Sequence, residues 1–194
     1  MTLDPRYKWL LETLAANNGS PKLISAALTL YGTHEVQGPG SNPTIMRMRT
    51  AISAISPIKA AGVRAFSDDD IAWCGLFMAY CAHLGGKEFP DYPLWAMNWA
   101  GFGAKSPEPA LGDVLVFKRA NAKGQTVGGH VALYVGEDAD CFHILGGNQS
   151  NAVTIMRKAK AQLVAARRPI YRVQPLNVRP IHLAATGAVT TNEA

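Results

Sequence analysis

Ala72-Trp73-Cys74-Gly75-Leu76-Phe77, read together with Gly128-Gly129-His130-Val131 further along, decides how this chain folds. A cysteine stands where a helix begins, and a histidine stands where a β-rich run begins. Ser67-Asp68-Asp69-Asp70 supplies residues that favour helix N-caps. Trp73, Phe77, Cys81 and Leu84 then recur at helical spacing, and Gly85-Gly86 closes the run. The pattern predicts a helix over roughly 71–85 with Cys74 in its first turn. A thiol becomes a nucleophile at neutral pH when positive potential favours its thiolate and a base accepts its proton. A helix N-terminus provides the first and an imidazole the second.

Upstream, residues 5–18 read as a short amphipathic helix with Tyr7, Leu10, Leu11 and Leu14 on one side, ended by Asn17-Asn18-Gly19-Ser20-Pro21. Further helices are predicted over 21–31 and 44–55, separated by a loop that contains Glu35 and Gly38-Pro39-Gly40. Residues 86–111 carry Trp95, Trp99 and several prolines, and read as a short helix within loops. After Gly112 the texture changes. Segments 114–117, 130–135, 141–145, 153–156 and 163–166 are short apolar runs parted by glycine-rich or polar turns, as strands are. Helices first and antiparallel strands second is the α+β arrangement. One domain is expected over 1–172, and residues 173–194, ending small and polar, are expected to form a flexible C-terminal tail.

At 194 residues, 48% hydrophobic and 17% charged, the chain is long enough to bury a core. Its net charge of +5 suits polyanionic partners, including the acidic polymers of a bacterial wall. No Lys/Arg run interleaved with aromatics occurs, so nucleic acid is not an expected partner. Three cysteines cannot make a fully paired disulfide framework. Cys74 and Cys81 are separated by about 10 Å of helical rise, too far to bridge. The N-terminus shows no secretory signal and no stretch is apolar enough for a bilayer, so membrane insertion is not expected. Synthesis in the cytoplasm and later release to the site of action is the expectation that follows. Cys74, Cys81, His83, Cys141 and His143 lack the spacing of a metal site, and no metal or other cofactor is expected. Gly38-Pro39-Gly40 has a proline where a phosphate cradle needs N–H groups.

Within the predicted strand 130–135, His130, Ala132 and Tyr134 share one face, and Val131, Leu133 and Val135 the other. If that strand packs beside the Cys74 helix, His130 is the partner base. A third group should accept from the second ring nitrogen. Asn148, in Leu145-Gly146-Gly147-Asn148-Gln149, is chosen because an amide oxygen accepts that bond and the glycines allow close approach. His143, within a strand, is the alternative. Cys81 and Cys141 read as core residues. Glu35, Asn42, Trp73, Trp95 and Gln149 are the candidates for binding substrate.

Trp73-Cys74 at a helix start resembles the nucleophile motif of the CHAP and NlpC-type cysteine peptidases, a papain-like superfamily. Gly112-Asp113-Val114-Leu115-Val116-Phe117 and the run from Gly129 to Gly136 resemble their central strands. Gly146-Gly147-Asn148-Gln149-Ser150, Arg167-Arg168-Pro169, and Glu35, Gly38 and Ser41-Asn42-Pro43-Thr44-Ile45 resemble a small bacterial and phage branch. The resemblance spans roughly residues 22–172. It implies a papain-like α+β fold and hydrolysis of peptidoglycan at a peptide or amide bond, as an endolysin does. Cys74 would be the nucleophile, His130 the base and acid, and Asn148 the orienting group. Many CHAP domains place a glutamate just before that asparagine, where this chain has Gly146-Gly147, and NlpC-type enzymes often use a histidine there, as His143 would be. Without a signal, such an enzyme reaches the wall after holin-type release in phage lysis, or is carried by a virion or a secretion system. The competing expectations are a non-catalytic wall-binding or phage structural protein on the same fold, and a thiol amidase with another substrate.

Overall fold

Alternation along the strands builds the centre of the molecule. The computed structural model describes residues 3–15, 20–55, 62–120, 123, 125–185 and 189. The strands are β1 (Ala104–Lys105), β2 (Val114–Ala120), β3 (Thr126–Glu137), β4 (Cys141–Gly146), β5 (Thr154–Ala159) and β6 (Leu163–Arg168). They form one antiparallel sheet in the order β1-β6-β2-β3-β4-β5. Val114, Val116, Val131, Leu133, Val135 and Leu145 join the helices in the main core. Leu115, Phe117, Ala132, Tyr134, Phe142 and Ile144 form a second cluster on the other face. Because both faces are covered, the central strands read as continuous apolar runs. The helices and this sheet make the fold α+β, as expected.

The helices are α1 (Trp9–Ala15), α2 (Lys22–Thr29), α3 (Pro43–Ile55) and α4 (Cys74–Leu84). A 3₁₀ turn, Pro5–Tyr7, precedes α1, and residues 16–18 of the helix expected there lie outside the described residues. The short helix expected within 86–111 is a 3₁₀ helix, Ala96–Gly101. Helix α4 is buried on nearly every side, with α2 and α3 packed against it and β3 beneath. A helix apolar all round belongs in a core. Among the described residues no helix is long and apolar enough to cross a membrane.

Helix α4 begins at Cys74, not near 71, and the aspartates ahead of it do not cap it. Asp69 is buried instead, and its Oδ2 accepts from the backbone N–H groups of Val36 (3.0 Å) and Asn42 (2.8 Å). It therefore anchors the loop between α2 and α3. The tail expected from 173 is also different over its first part. Val178 is buried, Ile181 N–H donates to the Tyr134 hydroxyl (3.1 Å), and the backbones of Ile181 and Leu183 bond to Glu137. This strap closes the second apolar cluster, a demand set by the sheet and invisible in the strap's own composition.

Candidate active site

Cys74 is the first residue of α4 and is buried, with Trp73 as N-cap and no side chain capping the helix start. First-turn N–H groups point out of a helix start and give it positive potential. That potential acts on Cys74 and not on the other two thiols. Cys81 lies in the last turn of the same helix, fully enclosed, and burial pushes its pKa up; burial does the same to Cys141.

His130 sits in β3 opposite Phe117 of β2 and is buried. Its Nε2 lies 3.1 Å from Oε1 of Gln149. The opposite end of that amide fixes which atom faces the ring. Gln149 Nε2 donates to the carbonyl oxygen of Thr154 (2.6 Å) and lies 3.4 Å from that of Ile144. A reversed amide would set its oxygen against those carbonyl oxygens. Oε1 therefore faces His130, which must donate from Nε2, and in the neutral ring Nδ1 is then the basic nitrogen.

The amide oxygen that faces Nε2 of His130 belongs to Gln149, the residue after the expected Asn148. Asn148 is itself buried and adopts a left-handed backbone (φ 56°), as do Ser150 and Asn151 (51° and 61°). This turn also reaches α4. A β-carbon on Gly147 would fall 2.6 Å from both Phe77 Cβ and Trp73 Cζ3, so only glycine lets the turn lie flat on the helix start. One short turn therefore touches the beginning of the Cys74 helix at Gly147 and holds His130 through Gln149. Residues 151–153 then pair with the Glu35 loop: Glu35 N–H donates to Asn151 O (2.9 Å) and Val153 N–H to Thr33 O (2.8 Å).

The five expected substrate contacts separate. Trp73 is fully buried, and its Nε1 donates to Glu35 Oε2 (3.3 Å), so it cannot form a groove wall. Gln149 is fully buried and holds His130. Asn42 caps α3: its Oδ1 accepts from Thr44 N–H (2.8 Å) and its Nδ2 donates to His34 O (2.7 Å). Glu35 is half-buried; burial raises its carboxyl above the usual range, with Asp69 and Asp70 adding to the rise and the Trp73 bond opposing it. Trp95 is 57% exposed. It follows Pro93 and Leu94, whose carbonyl oxygens would overlap a β-carbon on Gly75. The backbone just before this exposed tryptophan thus packs on the first turn of α4.

His143 has a different employment. It is buried between Asp138 and Tyr7: its Nε2 donates to Asp138 Oδ2 (2.8 Å), so Nδ1 accepts from the Tyr7 hydroxyl (2.6 Å). Arg157 Nε donates to the same Asp138 oxygen (2.7 Å). With both nitrogens engaged there, His143 is not a third member for His130. It pins the N-terminal segment to β4. Burial lowers its pKa, Arg157 and Arg6 add to the fall, and Asp138 opposes it. Lowered means that the unfolded chain takes the proton first. Stability is expected to fall as pH drops below about 6.5, by at most about 1.4 kcal/mol per pH unit from this group. His143→Gln should flatten that part of a Tm-against-pH curve between pH 7 and 5; an unchanged slope would remove His143 as its source. Asp138 is held well below the usual carboxylate range, chiefly by Arg157, and sustains stability until more acidic pH.

No protein-family model matches the chain, and no curated protein matches it. Among solved structures, a lipoprotein-like protein of the NLP/P60 family from Staphylococcus aureus is similar at 20% identity with a TM-score of 0.43. The match covers 78% of this chain and 41% of that one, so the chain spans less than half the length of that structure.

Proposed function

We propose that this chain is a cysteine hydrolase that cleaves a peptide or amide bond of peptidoglycan, with Cys74 as nucleophile and His130 as base and acid. The observation that carries the reading is the His130–Gln149 hydrogen bond, held by a turn that rests on the helix Cys74 opens. The wall as substrate comes from the resemblance of Trp73-Cys74, the two central strands and Gly146–Ser150 to the CHAP and NlpC-type enzymes.

In this reading His130 Nδ1 takes the Cys74 proton, and the thiolate attacks the carbonyl carbon. The helix start stabilises the oxyanion through backbone N–H groups. The C–N bond breaks as His130 returns its proton to the leaving amine. His130 then takes a proton from water, the hydroxide attacks the thioester, and the Cys74 thiolate leaves. Gln149 is a positioning residue that holds the ring tautomer needed at each step.

The test is digestion of purified peptidoglycan with the products identified by mass spectrometry. Fragments with paired new amine and carboxylate ends are expected, and they name the bond. No release from several wall chemotypes would end the wall reading. Gln149→Leu should lower kcat by about 100-fold with KM little changed. Ring-nitrogen NMR should show His130 losing its preference for the Nε2–H form; an unchanged tautomer would remove the positioning role.

A further inference from the structure

We propose that the cleft at the C-terminal end of α4 binds a phosphate group carried on a small organic body. The cleft has a volume of about 570 Å³, within the range of small-molecule sites. Lys22, Lys87 and Arg172 line it, and among its described lining residues none is acidic. Neither Lys22 nor Arg172 makes an ion pair among the described residues, and both are exposed. The Lys87 ammonium donates to the Ile170 carbonyl and stands 5.1 Å from the centre of the Tyr171 ring, and it too makes no ion pair among the described residues. Three cations therefore share one concavity without a counter-charge.

Lys22 sharpens the point. It is the first residue of α2, a helix with no acidic residue in its first turn and no side-chain cap. A cation at a helix N-terminus opposes the helix dipole, and local choices that oppose folding concentrate at functional sites. A bound anion offsets the conflict at the α2 start, and the three cations outweigh the opposing C-terminal dipole of α4 that meets the same cleft. The charge count favours phosphate over a single carboxylate. A guanidinium fork and two ammonium groups match an anion with several oxygens. Leu23, Val173 and Pro175 supply an apolar wall for the organic part.

This site is independent of the thiol chemistry. Helix α4 has 11 residues, which places the cleft about 16 Å along the axis from Cys74. Glycerol phosphate carries the required chemistry and occurs both in soluble polymers and in lipid headgroups. The first experiment is an NMR titration of the ¹⁵N-labelled full chain with glycerol 3-phosphate, with glycerol as the neutral control. Saturable amide shifts are expected for residues 20–23, 85–87 and 171–175, with a midpoint of about 1 mM or below. They should weaken with added salt and by at least about tenfold in the Lys22→Gln/Arg172→Gln variant. Both substitutions are at exposed positions, so the remaining spectrum should be unchanged. Shifts that never saturate, that scatter over all basic residues, or that persist in the variant would overturn the proposal. Binding to bead-immobilised poly(glycerol phosphate), lost in the variant, would support the site and assign it to a polymer. Co-sedimentation with phosphatidylglycerol vesicles, lost in the variant, would support it and assign it to a membrane.

Discussion

Cys74→Ala is expected to reduce release of wall fragments by at least about 10³-fold while shifting Tm by no more than about 4 °C. The rate falls because nothing can replace the nucleophile. Cys81 and Cys141 are buried, their pKa values raised by that burial, and neither opens a helix. The stability changes little because the substitution removes one sulfur from the edge of the core, where Cys74 retains 6% exposure. Alanine also suits a helical first turn. Chromatography of soluble fragments, paired with calorimetry, reads both quantities. Wild-type release by the variant would show that the thiol is not the nucleophile.

Arg168→Met should destabilise the fold by about 3 kcal/mol, enough to lower Tm by roughly 6–12 °C. Asp113 is completely buried at the entrance to β2. It accepts from Ser106 Oγ (2.6 Å), from Ala110 N–H (2.9 Å) and from both Nε and Nη2 of Arg168 (3.0 and 2.9 Å). Losing the guanidinium leaves a buried carboxylate with neutral partners only, and a buried charge without its counter-ion is what costs most. The loss stays moderate for a broken buried pair because the Arg168 side chain is 28% exposed and water partly replaces it. Asp113→Asn combined with Arg168→Met should recover part of the loss, since the buried charge is then gone. A double-mutant cycle by urea unfolding measures the coupling. A loss below about 1 kcal/mol in the single variant would show the pair to be dispensable. Gly112-Asp113 and Arg167-Arg168-Pro169, two separate stretches of the resemblance, are thus joined in one ion pair.

Local chemistry is what a sequence carries openly. Apolar alternation after Gly112, the apolar run after Trp73 and the Gly-Gly before His130 specify strands, a buried helix and a histidine opening a buried strand. The structure has the strands and the buried helix, because hydrophobic patterning acts through neighbouring residues, but β3 begins at Thr126, so His130 lies within its strand rather than at the start. The assignments that moved all depend on partners far along the chain. Asp69 reads as a cap and instead holds the 36–42 loop, since its burial is decided by residues about thirty positions away. Asn148 and Gln149 offer the same amide; a left-handed turn with Gly147 pressed against Trp73 and Phe77 decides that the second meets His130. His143 is claimed by Tyr7, which no local pattern links to it. The strap over Tyr134 looks like tail because the surface it covers belongs to the sheet. Periodicity is a property of consecutive residues and is written in the chain. Which hydrogen-bond partner a buried polar group finds is a property of the assembled core, and only tertiary packing selects it.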